Sequence, residues 1–345
     1  MTMPLADGVS FDLTFIWAFL IAFAVLVYVV LDGFDLGLGM LFAVERRRGD
    51  RDIMMNSVAP VWDGNETWLV LGGGGLLAAF PLAYALILPA LYAPLTAMLL
   101  ALIFRGVAFE FRWRTERWRS VWDIAFIGGS TVASLAQGIA LGALLQGIDI
   151  DEGGRTYAGG WWDWLTPFSL TVGVAVAIGY MLLGATWLIM KTTDGLRERM
   201  RRRAWFLGLG TVAFIGIVSL WTPFLQEGYY SRWFQGWGIA MAGFVALAVL
   251  ALAALLFRAL HVQRHDYWPF FISLAIFALC FIGLGVSMFP YIVPTEVTIY
   301  EAAAPRNAQI FMLIGAGILI PIILAYTAYA YWVFRGKVDP EAGYH

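Results

Sequence analysis

Long apolar stretches alternate with short polar segments along almost the whole chain. Each stretch has about the 20 residues that a helix needs to cross a bilayer core of about 30 Å. We identify nine of them, at 15–40, 62–80, 83–109, 121–146, 167–190, 204–224, 236–257, 268–293 and 308–334. The pattern predicts an all-α, polytopic membrane bundle of about nine transmembrane helices, in a single domain that covers residues 1–345.

The composition supports a membrane protein. Of the 345 residues, 61% are hydrophobic and 13% are charged, which leaves a soluble domain of this size too little polar surface. The formal net charge of −2 gives nucleic-acid binding no support. The first apolar segment lacks a basic region before it and is too long for a signal peptide, so we expect it to remain as a span.

Basic residues are distributed unequally between the two sets of loops. Of the 22 Lys and Arg residues, 18 follow odd-numbered spans, three lie in the other loops, and Arg105 lies within the third span. Because basic loops stay in the cytoplasm, we expect a periplasmic N-terminus and a cytoplasmic C-terminus. Trp and Tyr residues collect near the predicted span ends, where interfacial aromatic belts form.

Acidic residues occur in pairs at the ends of the first two spans. Asp32 and Asp35 close the first span, and Asp63 and Glu66 open the second. The members of each pair are three residues apart and therefore share a helix face. Both pairs are expected at the cytoplasmic side, as is Arg105 near the end of the third span. Carboxylates at a membrane span are costly, so their presence favours a functional role.

Each of these residues has two interpretations. Asp63 and Glu66 suit a proton-loading pair, and they also suit the first turn of a helix, where acids meet the positive end of the dipole. Asp32 and Asp35 lie near a predicted helix C-terminus, where negative charge is unfavourable, so we expect a cation or a shared proton there. Arg105 either pairs with these acids or extends to the interface. We treat the five residues as a candidate proton pathway.

Two further features near these residues have simpler explanations. Glu110 closes the third span, and we expect it to flank the membrane interface. Gly33 and Gly37 form a small-xxx-small pair, which is more typical of helix packing than of chemistry. The run 72–75 consists of glycine alone and allows close helix approach or a local break.

Histidine and cysteine are scarce in this sequence. Only His261, His265 and His345 occur, none of them in a predicted span, and the single Cys280 lies in an apolar run. Haem b usually needs a proximal histidine, and zinc and iron–sulfur sites need groups of cysteine or histidine. We therefore expect no haem, metal or other cofactor ligand from this chain alone.

Five short segments occur in an order that resembles a known family. They are 32–37 (DGFDLG), 60–69 (PVWDGNETWL), 105–112 (RGVAFEFR), 144–147 (LLQG) and 288–290 (MFP). Together they closely resemble subunit II of the cytochrome bd-type ubiquinol oxidases, and the resemblance extends from the first span to the ninth. The pair Glu66-Thr67 and the glycine at 106 resemble the cyanide-insensitive branch of this family.

The resemblance implies a subunit that pairs with a larger, haem-bearing subunit I in the bacterial inner membrane. The complex would oxidise ubiquinol and reduce oxygen to water, with haem b and haem d or a further haem b on subunit I, and with protons taken from the cytoplasm. The resemblance also links Asp63 to a proton path toward the haems and places Asp35 near it. Small accessory subunits, membrane lipids and a structural quinone within subunit II are further implied partners.

Two alternatives account for the same residues. A proton-coupled secondary transporter would place its carboxylates near mid-membrane and show repeated halves, whereas here the acids cluster at one side and no repeat is visible. A purely structural assembly partner would use no proton-carrying residue at all. Copurification with a haem subunit tests the first alternative, and substitution of Asp63 tests the second.

Overall fold

The computed structural model describes residues 12–339, and this part of the chain is predominantly helical. Its helices are α1 (Leu13–Leu41), α2 (Arg48–Val58), α3 (Trp62–Ala79), α4 (Pro81–Ala90), α5 (Tyr92–Arg114), α6 (Arg119–Gln146), α7 (Pro167–Lys191), α8 (Asp194–Trp221), α9 (Glu227–Phe234), α10 (Gly238–Val262), α11 (Trp268–Met288), α12 (Ile299–Ala302) and α13 (Arg306–Val333). Between α11 and α12, the strands β1 (Tyr291–Val293) and β2 (Val297–Thr298) form an antiparallel hairpin. The all-α prediction is confirmed.

Eight of the described helices are long and apolar enough to cross a membrane, namely α1, α5, α6, α7, α8, α10, α11 and α13. The remaining predicted span corresponds to α3, whose first two turns are polar. This helix nevertheless runs antiparallel to α1, because a Cβ on Gly72 would meet Val25 and one on Gly75 would meet Ile21. The glycine run 72–75 faces α1 in part and leaves the helix unbroken. α3 is therefore a ninth long helix of the bundle.

The predicted third span is divided in the structure. The apolar pattern predicted one helix over 83–109, but α4 ends at Ala90, α5 begins at Tyr92, and Leu91 separates them. Pro94 has no N–H to donate to the carbonyl of Ala90, so a helix cannot remain fully hydrogen bonded through this point. α5 alone is long enough to cross a membrane.

The basic segment after α1 is a helix, which the apolar pattern did not predict. Met54, Met55 and Val58 of α2 are buried in the core. On its polar face, Arg51 Nη1 lies 2.8 Å from Asp123 Oδ2 of α6. This helix has 11 residues, too few to cross a bilayer, and it is amphipathic, with its apolar face packed against the core.

Most basic residues lie at one end of the bundle, which we call the basic end. It comprises the C-terminal ends of α1, α5, α7, α10 and α13 with the segments that adjoin them. Ion pairs tie these segments together: Arg199 lies 3.2 Å from Glu45 and 2.5 Å from Asp50, and Lys337 lies 2.8 Å from Asp266. The basic residues that follow the odd-numbered spans in the sequence thus lie mostly at one end of the structure.

The opposite end is formed by the start of α1, the end of α3, α4 and the β-hairpin. The Ala304 N–H donates to the carbonyl of Ala79 at 2.8 Å. The indole N–H of Trp17 donates to the carbonyl of Gln309 at 3.1 Å. Because α3 begins at the basic end and finishes here, it traverses the bundle as the sequence predicted.

Helices α1 and α7 touch through glycine. A Cβ on Gly37 would stand 1.6 Å from the carbonyl oxygen of Tyr180, and one on Gly184 would stand 2.4 Å from the backbone nitrogen of Leu38. A Cβ on Gly33 would lie 2.8 Å from the Tyr180 ring. The small-xxx-small pair therefore serves helix packing, as predicted, and it brings the buried half of α1 against α7.

Candidate functional site

Arg105 of α5 is fully buried and is surrounded by three acidic side chains. Its Nη1 lies 3.0 Å from Asp32 Oδ1 and its Nη2 lies 3.7 Å from Asp35 Oδ2. The same Nη1 donates a hydrogen bond to Glu66 Oε1. Pairing with acids, and not extension to the interface, is the interpretation that the structure supports. We call these four residues the Arg105 cluster.

The two aspartates of the cluster lie within α1 and not at its end. Asp32 and Asp35 are both fully buried, and α1 continues to Leu41. The dipole of a helix acts mainly on its last turn, so the predicted conflict between these acids and a helix C-terminus does not arise. The guanidinium of Arg105 supplies the compensating positive charge.

Asn65 and Tyr331 extend the cluster toward α13. The Asn65 amide donates to Asp35 Oδ2 at 2.7 Å, and the Tyr331 hydroxyl donates to Asn65 Oδ1 at 2.9 Å. Tyr331 lies near the end of the ninth predicted span, where an interfacial aromatic belt was expected, and no role was predicted for Asn65. The only sequence feature that pointed to a role for Asn65 was its position between two acids. The hydrogen bond from Tyr331 of α13 depends on tertiary packing, which the sequence pattern does not specify.

A small cavity adjoins this side of the cluster. It lies between the start of α3 and α13, is lined in part by Gly64, Asn65 and Tyr331, and has a volume of about 20 Å³. A volume of roughly 10–15 Å³ on this measure accommodates one water molecule. The cavity therefore offers one water position next to Asn65.

A second polar group lies deeper in the bundle, beside Asp32. Tyr28, one turn earlier on α1, is next to the Asp32 carboxyl group. Gln137 of α6 donates to the Tyr28 hydroxyl at 2.8 Å and accepts from the Tyr180 hydroxyl at 2.8 Å. Single polar residues in apolar spans have no pattern that sequence analysis detects, so these three residues were missed.

The cluster differs in exposure from one member to another. The side chains of Asp32, Asp35 and Arg105 are 0% exposed, whereas that of Glu66 is 24% exposed. Glu66 is therefore the one partly exposed member of the cluster.

Asp63 and Glu110 lie outside the cluster. The side chain of Asp63 is exposed and makes no hydrogen bond or ion pair with another residue of 12–339. Asp63 is two residues before the buried Asn65, and at 3.6 residues per turn the two side chains point about 160–200° apart. Glu110 is exposed and pairs with Arg114 at 3.5 Å, as expected of an interfacial acid. A role for Asp63 stays a prediction.

The charges of the cluster do not balance. Three carboxyl groups share one guanidinium, and each further buried negative charge costs free energy unless it is paired or neutralised. A group of closely spaced acids in this situation titrates as a unit. The arrangement is chemically suited to taking up and releasing protons.

The described residues do not form an evident metal site. Among residues 12–339, no group of three His, Cys, Asp or Glu side chains is arranged to hold a metal ion. His261 and His265 are exposed near the end of α10, and His345 lies outside the described residues. The cluster itself has a cation at its centre, which disfavours a second one.

Comparison with known proteins places the chain in a family. Residues 13–334 match the family model described as cytochrome bd terminal oxidase subunit II. The chain is 33% identical to cytochrome bd-I ubiquinol oxidase subunit 2 of Escherichia coli K12, over 95% of this chain and 96% of that protein. It is 29% identical to cytochrome bd ubiquinol oxidase subunit 2 of Bacillus subtilis, over 94% and 96% of the two chains.

The fold has a counterpart among solved structures. A chain in the structure of bd oxidase from Geobacillus thermodenitrificans matches with a TM-score of 0.77 at 18% identity, covering 93% of this chain and 99% of that one. At this identity the structural match is evidence for the fold alone. The family model, however, covers nearly the whole sequence, and the chain therefore belongs to the cytochrome bd terminal oxidase subunit II family.

Proposed function

We propose that this multi-pass inner-membrane protein is a subunit of a respiratory quinol oxidase, which couples ubiquinol oxidation to the reduction of oxygen to water. Within that complex it would hold a larger subunit I and carry protons inward from the basic end. Family membership supports the first part. The Arg105 cluster carries the second, because it gathers titratable groups from α1 and α3 around a buried cation.

The complex of this family contains haem, and the histidines in the described part of this chain do not fit a haem ligand set. The described histidines, His261 and His265, lie on the exposed surface at the basic end and not between helices. We therefore place haem b, and haem d or a second haem b, on subunit I. The role of this chain in the reaction is then to support subunit I and to supply protons.

Proton entry in this proposal begins at Glu66. It is the partly exposed member of the cluster and shares Arg105 with Asp32 and Asp35. A proton that reaches the cluster can be shared among these acids, since one guanidinium holds them within a few ångströms of each other. The water-sized cavity beside Asn65 offers a second point of contact between the cluster and solvent.

Asp63 would transfer protons across the subunit boundary. It lies on an exposed face of α3 that continues through Thr67, Val70, Gly74 and Leu77, at the three- and four-residue spacing of one helix stripe. This stripe is mostly apolar and small, so another protein chain can approach it closely. We propose that subunit I covers this face, with Asp63 at its edge.

Asp63→Asn is expected to lower quinol-oxidase turnover by roughly 100-fold, the lower end of what loss of a proton-transfer group costs. The substitution keeps the shape and polarity of the side chain but removes the titratable proton. Oxygen consumption by the purified complex measures turnover, and its haem absorption spectrum reports assembly. Asp63→Glu should retain more activity than Asp63→Asn.

Glu110→Gln is the matched control for this measurement. It also removes one exposed carboxyl group at the basic end, but from the interfacial Glu110–Arg114 pair, and it should leave turnover unchanged. Normal turnover in a fully assembled Asp63→Asn complex would rule out a relay at this residue. Loss of assembly with Asp63→Asn would instead favour a helix-start role.

The orientation of the bundle is also part of the proposal. Because basic loops stay in the cytoplasm, the basic end should face the cytoplasm. A topology reporter joined after Tyr344 should be active only in a cytoplasmic assay, and one inserted at Gly154, in the loop between α6 and α7, only in a periplasmic assay. The reverse result at both positions would invert the orientation.

A further inference from the structure

A groove at the basic end is not part of the Arg105 cluster. It lies between the first turns of α8 and the last turn of α10, and its volume is about 470 Å³. Glu198, Arg201, Arg202 and Trp205 line it from α8, and Leu260 and His261 line it from α10. The groove therefore has a charged wall and an apolar wall, and it lies at the basic end, where we expect the headgroups of a bilayer.

The two arginines of the groove have unused hydrogen-bonding capacity. Arg202 is exposed and makes no hydrogen bond or ion pair with another described residue. Arg201 is only 6% exposed, and its Nη2 lies 2.9 Å from Asp266 Oδ1. Its Nη1 is directed at the Leu260 carbonyl at 3.5 Å, and its buried Nε faces Glu198 Oε1 at 3.9 Å. Arg202 is therefore the arginine whose donors are open to an anionic ligand in the groove, with the guanidinium of Arg201 next to it.

The charge around the groove is positive even with its acids included. Glu198 is also 3.4 Å from Arg197, and Asp266 is also 2.8 Å from Lys337. The local ion-pair network thus comprises two carboxylates, Glu198 and Asp266, and three cations, Arg197, Arg201 and Lys337. Arg202 lies in the same groove as a fourth cation. The excess positive charge lies with Arg202, which no acid in the described residues neutralises.

The apolar wall continues from the groove toward the middle of the bundle. Trp205 is 43% exposed and Phe206 is 67% exposed, one turn along α8 from the two arginines. Tryptophan favours the boundary between headgroups and acyl chains. The groove therefore presents cations to a headgroup and aromatic side chains to the hydrocarbon immediately below it.

We propose that this groove binds an anionic phospholipid. Its phosphate would lie against the exposed guanidinium of Arg202, and the upper part of an acyl chain would lie along Trp205 and Phe206. Basic pockets between helices at the membrane surface bind anionic headgroups in this way. The observations that support this lipid site come from the groove alone, and they do not depend on the proton pathway.

Native mass spectrometry of the purified complex tests the site. The complex is titrated in detergent with phosphatidylglycerol or with phosphatidylcholine of the same acyl chains. Arg202→Gln should weaken the apparent Kd for phosphatidylglycerol about fivefold, the effect of one basic residue near a lipid headgroup, and leave phosphatidylcholine binding unchanged. Arg117→Gln, which removes an exposed arginine of the basic end outside the groove, should change neither.

Two further measurements separate a lipid from other occupants. A phosphatidylglycerol with a photoreactive acyl chain should label the Trp205 region in the unmodified complex and less so in Arg202→Gln. Inorganic phosphate should not compete with it. Equal weakening by Arg202→Gln and Arg117→Gln, full competition by phosphate, or crosslinking of a photoreactive residue at position 202 to another subunit would each overturn the proposal.

Discussion

Arg105→Met is expected to destabilise the protein by about 3–5 kcal/mol, the usual cost of removing one partner from a buried ion pair. Arg105 is the one cation of the cluster, and Asp32 and Asp35 are fully buried beside it. Without it, these carboxyl groups would remain in the bundle with no compensating charge. Thermal unfolding of the purified complex, together with its yield, measures the effect.

Two variants make this measurement specific. Arg114→Met changes an exposed arginine of the same helix, whose side chain is 75% exposed, and should have little effect. Asp32→Asn should cost less than Arg105→Met, because Arg105 keeps Asp35 and Glu66. The double variant with Asp32→Asn should recover part of the loss that Arg105→Met causes. A complex with Arg105→Met that melts like the unmodified protein would contradict the assignment of the cluster as a buried ion network.

Gly37→Ala is expected to have the second largest effect, a destabilisation of about 3 kcal/mol, at the upper end of what overpacking costs. Its Cβ would stand 1.6 Å from the carbonyl oxygen of Tyr180, and a backbone atom cannot move aside as a flexible side chain can. Helices α1 and α7 would have to separate, and the Arg105 cluster would be strained with them. Thermal unfolding measures the loss.

The comparison for Gly37 is Gly243→Ala on α10. Nothing lies within 4 Å of a Cβ placed on Gly243, and alanine is the better helix former. This variant should therefore be as stable as the unmodified protein or slightly more stable. If Gly37→Ala and Gly243→Ala have the same melting temperature, the close approach of α1 and α7 does not restrict residue 37 to glycine.

Much of this architecture was predictable because a bilayer imposes one length and one polarity on every span. Among residues 12–339, the apolar pattern located the eight helices that are long and apolar enough to cross a membrane, and the more polar α3 as well. It left open whether Arg105 would pair with acids or extend to the interface. The break at Leu91 was harder to predict, since Pro94 lies within an apolar run of ordinary length. The pattern also missed α2, because it is short and its apolar face is visible only at helical spacing.

At the candidate site, the spacing of residues along a helix does not predict which side chains are buried. Asp63 and Glu66 share a helix face in the sense that they are three residues apart, yet Glu66 contacts Arg105 and Asp63 is exposed. Which member of an acidic pair is buried depends on how α3 is rotated against α1, and no local pattern specifies that. Gln137 and Tyr331 join the polar network from distant helices, so their roles emerge only from tertiary packing.

The order of the helices along the chain bears on how this protein is made. An arginine within an apolar segment is among the least favourable residues for membrane insertion, at about 2.5–3.5 kcal/mol near the centre of a helix. Asp32, Asp35 and Glu66 belong to α1 and α3 and are synthesised before Arg105 of α5. When α5 enters the membrane, its counter-ions are already there. The helices that receive Arg105 would thereby lower the cost of inserting it, because they precede it along the chain.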